Sequence, residues 1–98
     1  MNFSEKCYQI IKEIPKGKVT TYKAIAEKLN SKGYRAVGRA MNKNPNDTNV
    51  YPCHRVISSN GMIGGYAHGT DAKIKRLNSE GVLIENNKID LEKFGYNF

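Results

Sequence analysis

Apolar residues recur at helical spacing near the N-terminus: Phe3, Cys7, Ile10, Ile11 and Ile14 fall on one stripe, and Ser4 can cap the helix that carries them. Cys7 therefore reads as a small buried hydrophobe. Pro15 ends the helix, and Lys16-Gly17-Lys18 makes a turn before Val19. A second helical period places Tyr22, Ile25, Ala26 and Leu29 on one face behind a Thr21 cap. Asn30-Ser31-Lys32-Gly33 breaks it. A third helix, from about Tyr34 to Lys43, turns Val37, Ala40 and Met41 inward and leaves Arg35 and Arg39 one turn apart on the outer face. Two short helices across a tight polar turn, the second with an arginine column, outline a helix-turn-helix. Small helical domains often share that outline, so the pattern alone does not choose between DNA binding and plain packing.

Asn44-Pro45-Asn46-Asp47-Thr48-Asn49 is a polar, turn-forming linker into Tyr51-Pro52-Cys53-His54-Arg55-Val56-Ile57. Proline biases the residue before it toward extended geometry, so Cys53 is expected on a stiff strand-like segment and not in a helix. Neighbouring side chains on such a segment point to opposite faces, and His54 then needs a sharp bend or a bridging water to act on the Cys53 sulfur. Ser58-Ser59-Asn60-Gly61 turns the chain back toward Met62-Ile63. Gly64, Gly65 and Gly69 lie within six residues and mark a backbone that passes close to other protein or to a ligand. Thr70 can cap a last helix with Ile74 and Leu77 inward, Lys73, Lys75 and Arg76 outward, and Gly81 just past its end. Val82-Leu83-Ile84 and Ile89-Asp90-Leu91, around Asn86-Asn87, predict a terminal hairpin.

The 98 residues suffice for one domain with a single modest core. Sixteen Lys plus Arg against nine Asp plus Glu give a net charge of +7, which suits a polyanion such as nucleic acid. No apolar run approaches membrane-spanning length and no signal peptide is evident, so an intracellular chain, in cytoplasm, nucleoid or nucleus, is expected to act as a monomer away from membranes. Cys7 and Cys53 are expected to remain thiols in a reducing compartment. A zinc site from Cys7, Cys53, His54 and His68 lacks any ligand pair at the usual short spacing, so no metal is expected and His68 reads as a solvated loop residue.

Read in order, Thr21-Tyr22, Arg35-Ala36-Val37-Gly38, Asn44-Pro45, Pro52-Cys53-His54-Arg55-Val56, Gly64-Gly65-Tyr66 and Glu80-Gly81 resemble the C-terminal domain of the O6-alkylguanine-DNA alkyltransferases. The likeness covers nearly the whole chain, and Pro-Cys-His-Arg-Val is its most specific string. It implies a mainly helical α+β fold, a winged-helix-like helix-turn-helix with a small strand or hairpin element carrying the cysteine. It also implies direct repair of duplex DNA, in which an alkyl group on guanine O6 passes irreversibly to Cys53 without cofactor or metal. By the same likeness His54 takes the thiol proton through a bridging water, and Glu80 orients the imidazole. Read from the sequence alone, Glu80 is a solvated carboxylate at a helix end. Tyr22 would assist the departing guanine, a role compatible with a ring on the apolar face.

The resemblance further implies that Arg35 fills the space left by a flipped nucleotide and that the third helix enters the minor groove. Arg39 reads as a phosphate contact or a plain solvated charge. Thr21, Lys32 and Tyr34 complete the expected DNA surface, with Tyr34 standing where small residues are common. Gly65, Tyr66, Ala67 and Val56 would line the base pocket, Ala67 replacing a serine frequent in the family. Asn44 and Arg55 are expected to be structural.

Two-domain members carry a ribonuclease-H-like N-terminal domain, whereas residues 1–98 here correspond to the DNA-binding and catalytic domain. The Asn44-to-Cys53 linker, about one residue longer than usual, and the C-terminal hairpin resemble the alkyltransferase-like proteins, which bind alkylated guanine without repair and recruit excision-repair proteins. Those usually carry tryptophan or alanine at the acceptor position, which is Cys53 here. A helix-turn-helix regulator, a third reading, has no need of the Pro-Cys-His-Arg-Val segment.

Overall fold

A computed structural model describes residues 1–66 and 68–98; Ala67 lies outside the described residues. Helix α1 (Phe3–Ile11) is capped by Asn2, whose Oδ1 accepts from the Glu5 amide at 2.9 Å. The cap is thus two residues earlier than Ser4, which lies within the helix. Strand β1 (Thr20–Thr21) leads directly into α2 (Tyr22–Lys28), and there the expected cap forms: Thr21 Oγ1 accepts from the Ala24 amide at 3.0 Å. Asn30 takes a positive φ in the turn to α3 (Tyr34–Asn42), the second helix of the helix-turn-helix. Val37, Ala40 and Met41 are buried on α3, while Tyr34, Arg35 and Arg39 are exposed, as the spacing predicts.

Cys53 is not on a strand. Cys53–Arg55 form one 3₁₀ turn, closed by the Arg55 amide on the Pro52 carbonyl at 2.9 Å, and only Val56–Ile57 continue as strand β2. Proline stiffens the entry as expected, but a proline carbonyl can also accept the first hydrogen bond of a tight turn. The turn does not bring the His54 ring into hydrogen-bond contact with the Cys53 sulfur, since Nε2 faces Glu80 and Nδ1 has no partner among the described residues. Strand β2 pairs in parallel with β1, Thr20 opposite Val56 and Thr21 opposite Ile57. Alternation along β2 divides the interior: Val56 enters a cluster with α1, α2 and α3, and Ile57 enters a second with Val19, Ile63, Leu77, Val82 and Ile89. The segment that follows Cys53 is therefore anchored from both sides.

Helix α4 (Thr70–Ser79) has Gly69 at its cap position with no side-chain cap bond, so Thr70 is its first residue and not its cap. Leu77 is buried, Ile74 half-buried and Lys75 exposed, but Lys73 is fully buried and Arg76 is half-buried, against the outward placement predicted for both. Gly81 ends the helix at φ +89°. The Asn86-Asn87 turn forms with both residues at positive φ and Glu85 paired to Lys88, yet the longer hairpin does not. Lys88 bridges instead to Met62, Ile89 is buried, and the Asp90 side chain caps a short helix α5 (Leu91–Phe94). No helix is long and apolar enough to cross a membrane among the described residues.

Candidate active site and nucleic-acid interface

Glu80, at the C-cap of α4, gathers the residues of the 3₁₀ turn. Its Oε2 lies 2.9 Å from His54 Nε2 and 2.7 Å from Arg55 Nη2, and its Oε1 accepts from Arg55 Nε at 2.9 Å. Arg55 also donates to the Ile14 carbonyl at 2.8 Å, which ties the turn to the segment just after α1 and, with Glu80, gives the half-buried guanidinium its partners. The Glu80 side chain is only 4% exposed, so the solvated carboxylate read from sequence is instead a buried one. Burial acts to raise its pKa, but the hydrogen bonds from Arg55 and His54 outweigh that and hold it below its ordinary value.

His54 is completely buried, and burial pushes its pKa below the ordinary imidazole value despite the carboxylate beside it. The ring is therefore neutral near pH 7. With Nε2 facing an ionised carboxylate, the ring proton belongs on Nε2, which leaves the Nδ1 lone pair free. Nδ1 has no hydrogen-bond partner among the described residues. Cys53 is 2% exposed, and burial raises its thiol pKa while the Asn44 side chain and the charges of Lys73 and Arg76 pull it back. A thiol in that position needs a base to become a nucleophile.

Asn44 joins α3 to the turn through Nδ2 on the Tyr51 carbonyl at 3.1 Å and Oδ1 accepting from the Asn46 amide at 3.0 Å. Tyr22, half-buried, points its hydroxyl at the Gly65 carbonyl over 3.5 Å, and burial followed by the nearby Cys53 raises its pKa to about 12. Gly64 explains the glycines of this loop. Its φ is +69°, and a Cβ there would lie 2.8 Å from Tyr22 Oη. Tyr66 is half-buried, edge-on to His54 with ring centroids 6.4 Å apart. Val56 is in the core, so its side chain does not reach an open pocket, and only its backbone can contribute.

Lys73 was missed. Its Nζ donates to the carbonyls of Val56 at 2.8 Å and Gly65 at 3.0 Å, bracing strand β2 and the glycine loop together, and it lies over the Tyr22 ring at 5.9 Å. Its spacing of four from Leu77 placed it on the buried stripe, and only its charge argued for the outside. The exposed face of α3 lies apart from this buried cluster: Tyr34, half-exposed, precedes Arg35 at the helix start, with Lys32 exposed in the turn before it.

Residues 2–82 match the family described as 6-O-methylguanine DNA methyltransferase, DNA binding domain. A methylated-DNA–protein-cysteine methyltransferase from Candida glabrata is 50% identical over 82 residues, covering 83% of this chain and 39% of that protein. The chain spans about a third to a half of the length of the curated relatives it matches. The crystal structure of S. pombe Atl1 in complex with damaged DNA containing O6-carboxymethylguanine superposes with a TM-score of 0.86 at 36% identity, covering 98% of this chain and 95% of that one. The O6-methylguanine-DNA methyltransferase of Pyrococcus kodakaraensis superposes with a TM-score of 0.74 at 42% identity, covering 84% of this chain and 47% of that one.

Proposed function

This chain belongs to the family of 6-O-methylguanine DNA methyltransferase DNA-binding domains, and from that premise we propose that it repairs O6-alkylguanine in double-stranded DNA by moving the alkyl group to Cys53. The observation that carries this reading is the fully buried His54, held by Glu80 at Nε2 with Nδ1 unpaired among the described residues, next in the chain to a buried thiol. Such a group is built to accept a proton. In the proposed step the Cys53 proton passes to His54 Nδ1 through a bridging water, and the ionised Glu80 stabilises the imidazolium. The sulfur forms a bond to the alkyl carbon while the bond from that carbon to guanine O6 breaks. Tyr22, whose phenol stays protonated, donates a hydrogen bond to the departing ring, and the proton held by His54 returns through solvent to the guanine.

The exposed start of α3 supports the binding half of the reading. A target atom inside a stacked duplex is out of reach, so Arg35 is proposed to occupy the space of the extruded nucleotide, with Tyr34 beside it and Arg39, Lys32 and Thr21 near phosphates. Asn44 and Arg55 act through the turn they hold, and Gly65 and Tyr66 border the base.

A second reading, lesion binding without transfer followed by recruitment of excision-repair proteins, is favoured by one observation. The Atl1 structure aligns over nearly the full length of both chains, including the C-terminal segment beyond residue 82. Mass spectrometry of the protein after mixing with duplex DNA containing O6-methylguanine separates the two. A gain of one methylene on the Cys53 peptide is expected; DNA binding with an unmodified peptide selects the second reading.

A further inference from the structure

Helix α4 makes another connection, to the loop that delivers Cys53. Arg76 Nη1 donates to Thr48 Oγ1 and Nη2 to Asn49 Oδ1 at 3.1 Å. The rest of the loop is held from within: the amides of Val50 and Tyr51 bond to the Asp47 carbonyl, and the Asn49 amide bonds to the Asp47 side chain. Local bonds of that kind shape a turn but do not fix where it sits on the domain. Asn44 ties the Tyr51 end of the loop to α3, and the Arg76 fork ties its Thr48–Asn49 end to α4, the helix that also carries Lys73 and leads to Glu80.

We propose that Arg76 is a positioning residue for Cys53: by clamping Thr48 and Asn49 to α4, it sets the thiol against the helix that also presents Lys73 and Glu80. The inference rests on the proposed role of Cys53 as acceptor and adds a residue to it. One feature of the geometry and one of the charge support it. Arg76 is half-buried, and its bond to Thr48 is partly shielded from solvent while its bond to Asn49 lies at the surface. It is also close enough for its charge to favour the thiolate of Cys53, and the same charge opposes protonation of His54. Cys53 is faced by Lys73 and Arg76 from α4, Tyr22 from α2 and Tyr8 from α1, with His54 next in the chain. Of these, Arg76 alone also holds the Thr48–Asn49 loop, among the described residues.

The test uses readouts that need no repair activity: hydrogen exchange of amides in residues 49–53, and the pH dependence of Cys53 alkylation by iodoacetamide, followed by peptide mass. Thr48→Val/Asn49→Ala removes the acceptors and keeps the charge. Exchange across the loop is expected to rise at least about tenfold, since two hydrogen bonds to a charged group are lost and each is worth roughly tenfold or more, with α1 unchanged. Arg76→Gln removes both, so the same rise is expected together with a shift of the Cys53 inflection to higher pH. Arg76→Lys keeps the charge without the fork, and its inflection should stay near the wild-type position. Wild-type exchange in the Thr48/Asn49 variant, or wild-type exchange in a folded Arg76→Gln protein, overturns the proposal. If Arg76→Gln does not fold, the exchange result in the Thr48/Asn49 variant decides it alone. Absence of alkyl transfer by the unsubstituted protein, with both readouts as predicted in the variants, would instead count against Cys53 as acceptor while leaving the clamp standing.

Discussion

Lys73 donates to the carbonyl oxygen of Val56 across 2.8 Å from a side chain with no exposed surface. Burial lowers its pKa from 10.5 to about 8, with the nearby Cys53 working the other way. Between those two pH values the folded protein binds fewer protons at this site than the unfolded chain does. Stability contributed by the site therefore rises with pH across that window, by at most about 3 kcal/mol.

Lys73→Met should abolish that rise. The check is the difference between wild-type and variant melting temperatures from pH 8 to 10.5. A difference is needed because Cys7, raised by burial to about 11, titrates with the opposite sign in both proteins, and both are compared in a Cys53→Ala background because that raised thiol is coupled to Lys73. A difference that does not change with pH would mean that the amine is as well solvated as a surface lysine.

Glu80 is the partner whose loss should cost most. Glu80→Gln leaves the Arg55 guanidinium without its carboxylate, and breaking a largely buried pair costs about 3 kcal/mol or more, readable from urea unfolding. The pH signature has a defined sign. Glu80 is held below its ordinary pKa, so its stabilising contribution is present above that value and lost as pH falls through the folded pKa. His54 adds acid sensitivity at higher pH, because its buried ring must charge as pH drops below its ordinary 6.5. The variant should retain only the His54 component.

Helix periodicity made most of α1, α2 and α3 legible, since each carries an uninterrupted apolar stripe and a punctuating turn. The pairing of Thr20 with Val56 was not legible, because two-residue strands joined across two helices leave no period to read. Lys73 is not legible as a core residue because its charge argues for solvent, and for Glu80 the sequence alone argues the same, whereas the family resemblance places it on His54, where it is found. Lys73 finds two carbonyls and Glu80 finds an arginine and a histidine, contacts made between segments far apart in the chain. Cys53 and His54 stood out in the sequence as chemistry, but the turn that orients them depends on Pro52 accepting a hydrogen bond.

Arg35 separates extrusion from chemistry. It is exposed at the start of α3 and makes no hydrogen bond to the buried cluster among the described residues, so removing it should leave the cluster in place. Arg35→Ala should slow transfer from alkylated duplex DNA far more than from free O6-benzylguanine, which needs no extrusion. Single-turnover rates on both substrates make the comparison, and equal slowing of the two would place the defect in the fold. Binding to duplex should also weaken steeply with salt, through counterion release.

Turnover follows from the bond that the proposed reaction leaves behind. A thioether on Cys53 has no activated acyl carbon, so it offers His54 and water nothing to hydrolyse. The other cysteine, Cys7, is buried in the α1 cluster with its thiol pKa raised to about 11, and is no second acceptor. At most one alkyl group should therefore be transferred per molecule. With a large excess of alkylated duplex, restored guanine should level off at or below one equivalent of protein. Cys7→Ala should leave that level unchanged, and Cys53→Ala should reduce it to zero while DNA binding persists. Continued turnover past one equivalent would require a different reaction, and a requirement for added metal or oxygen would point to oxidative dealkylation.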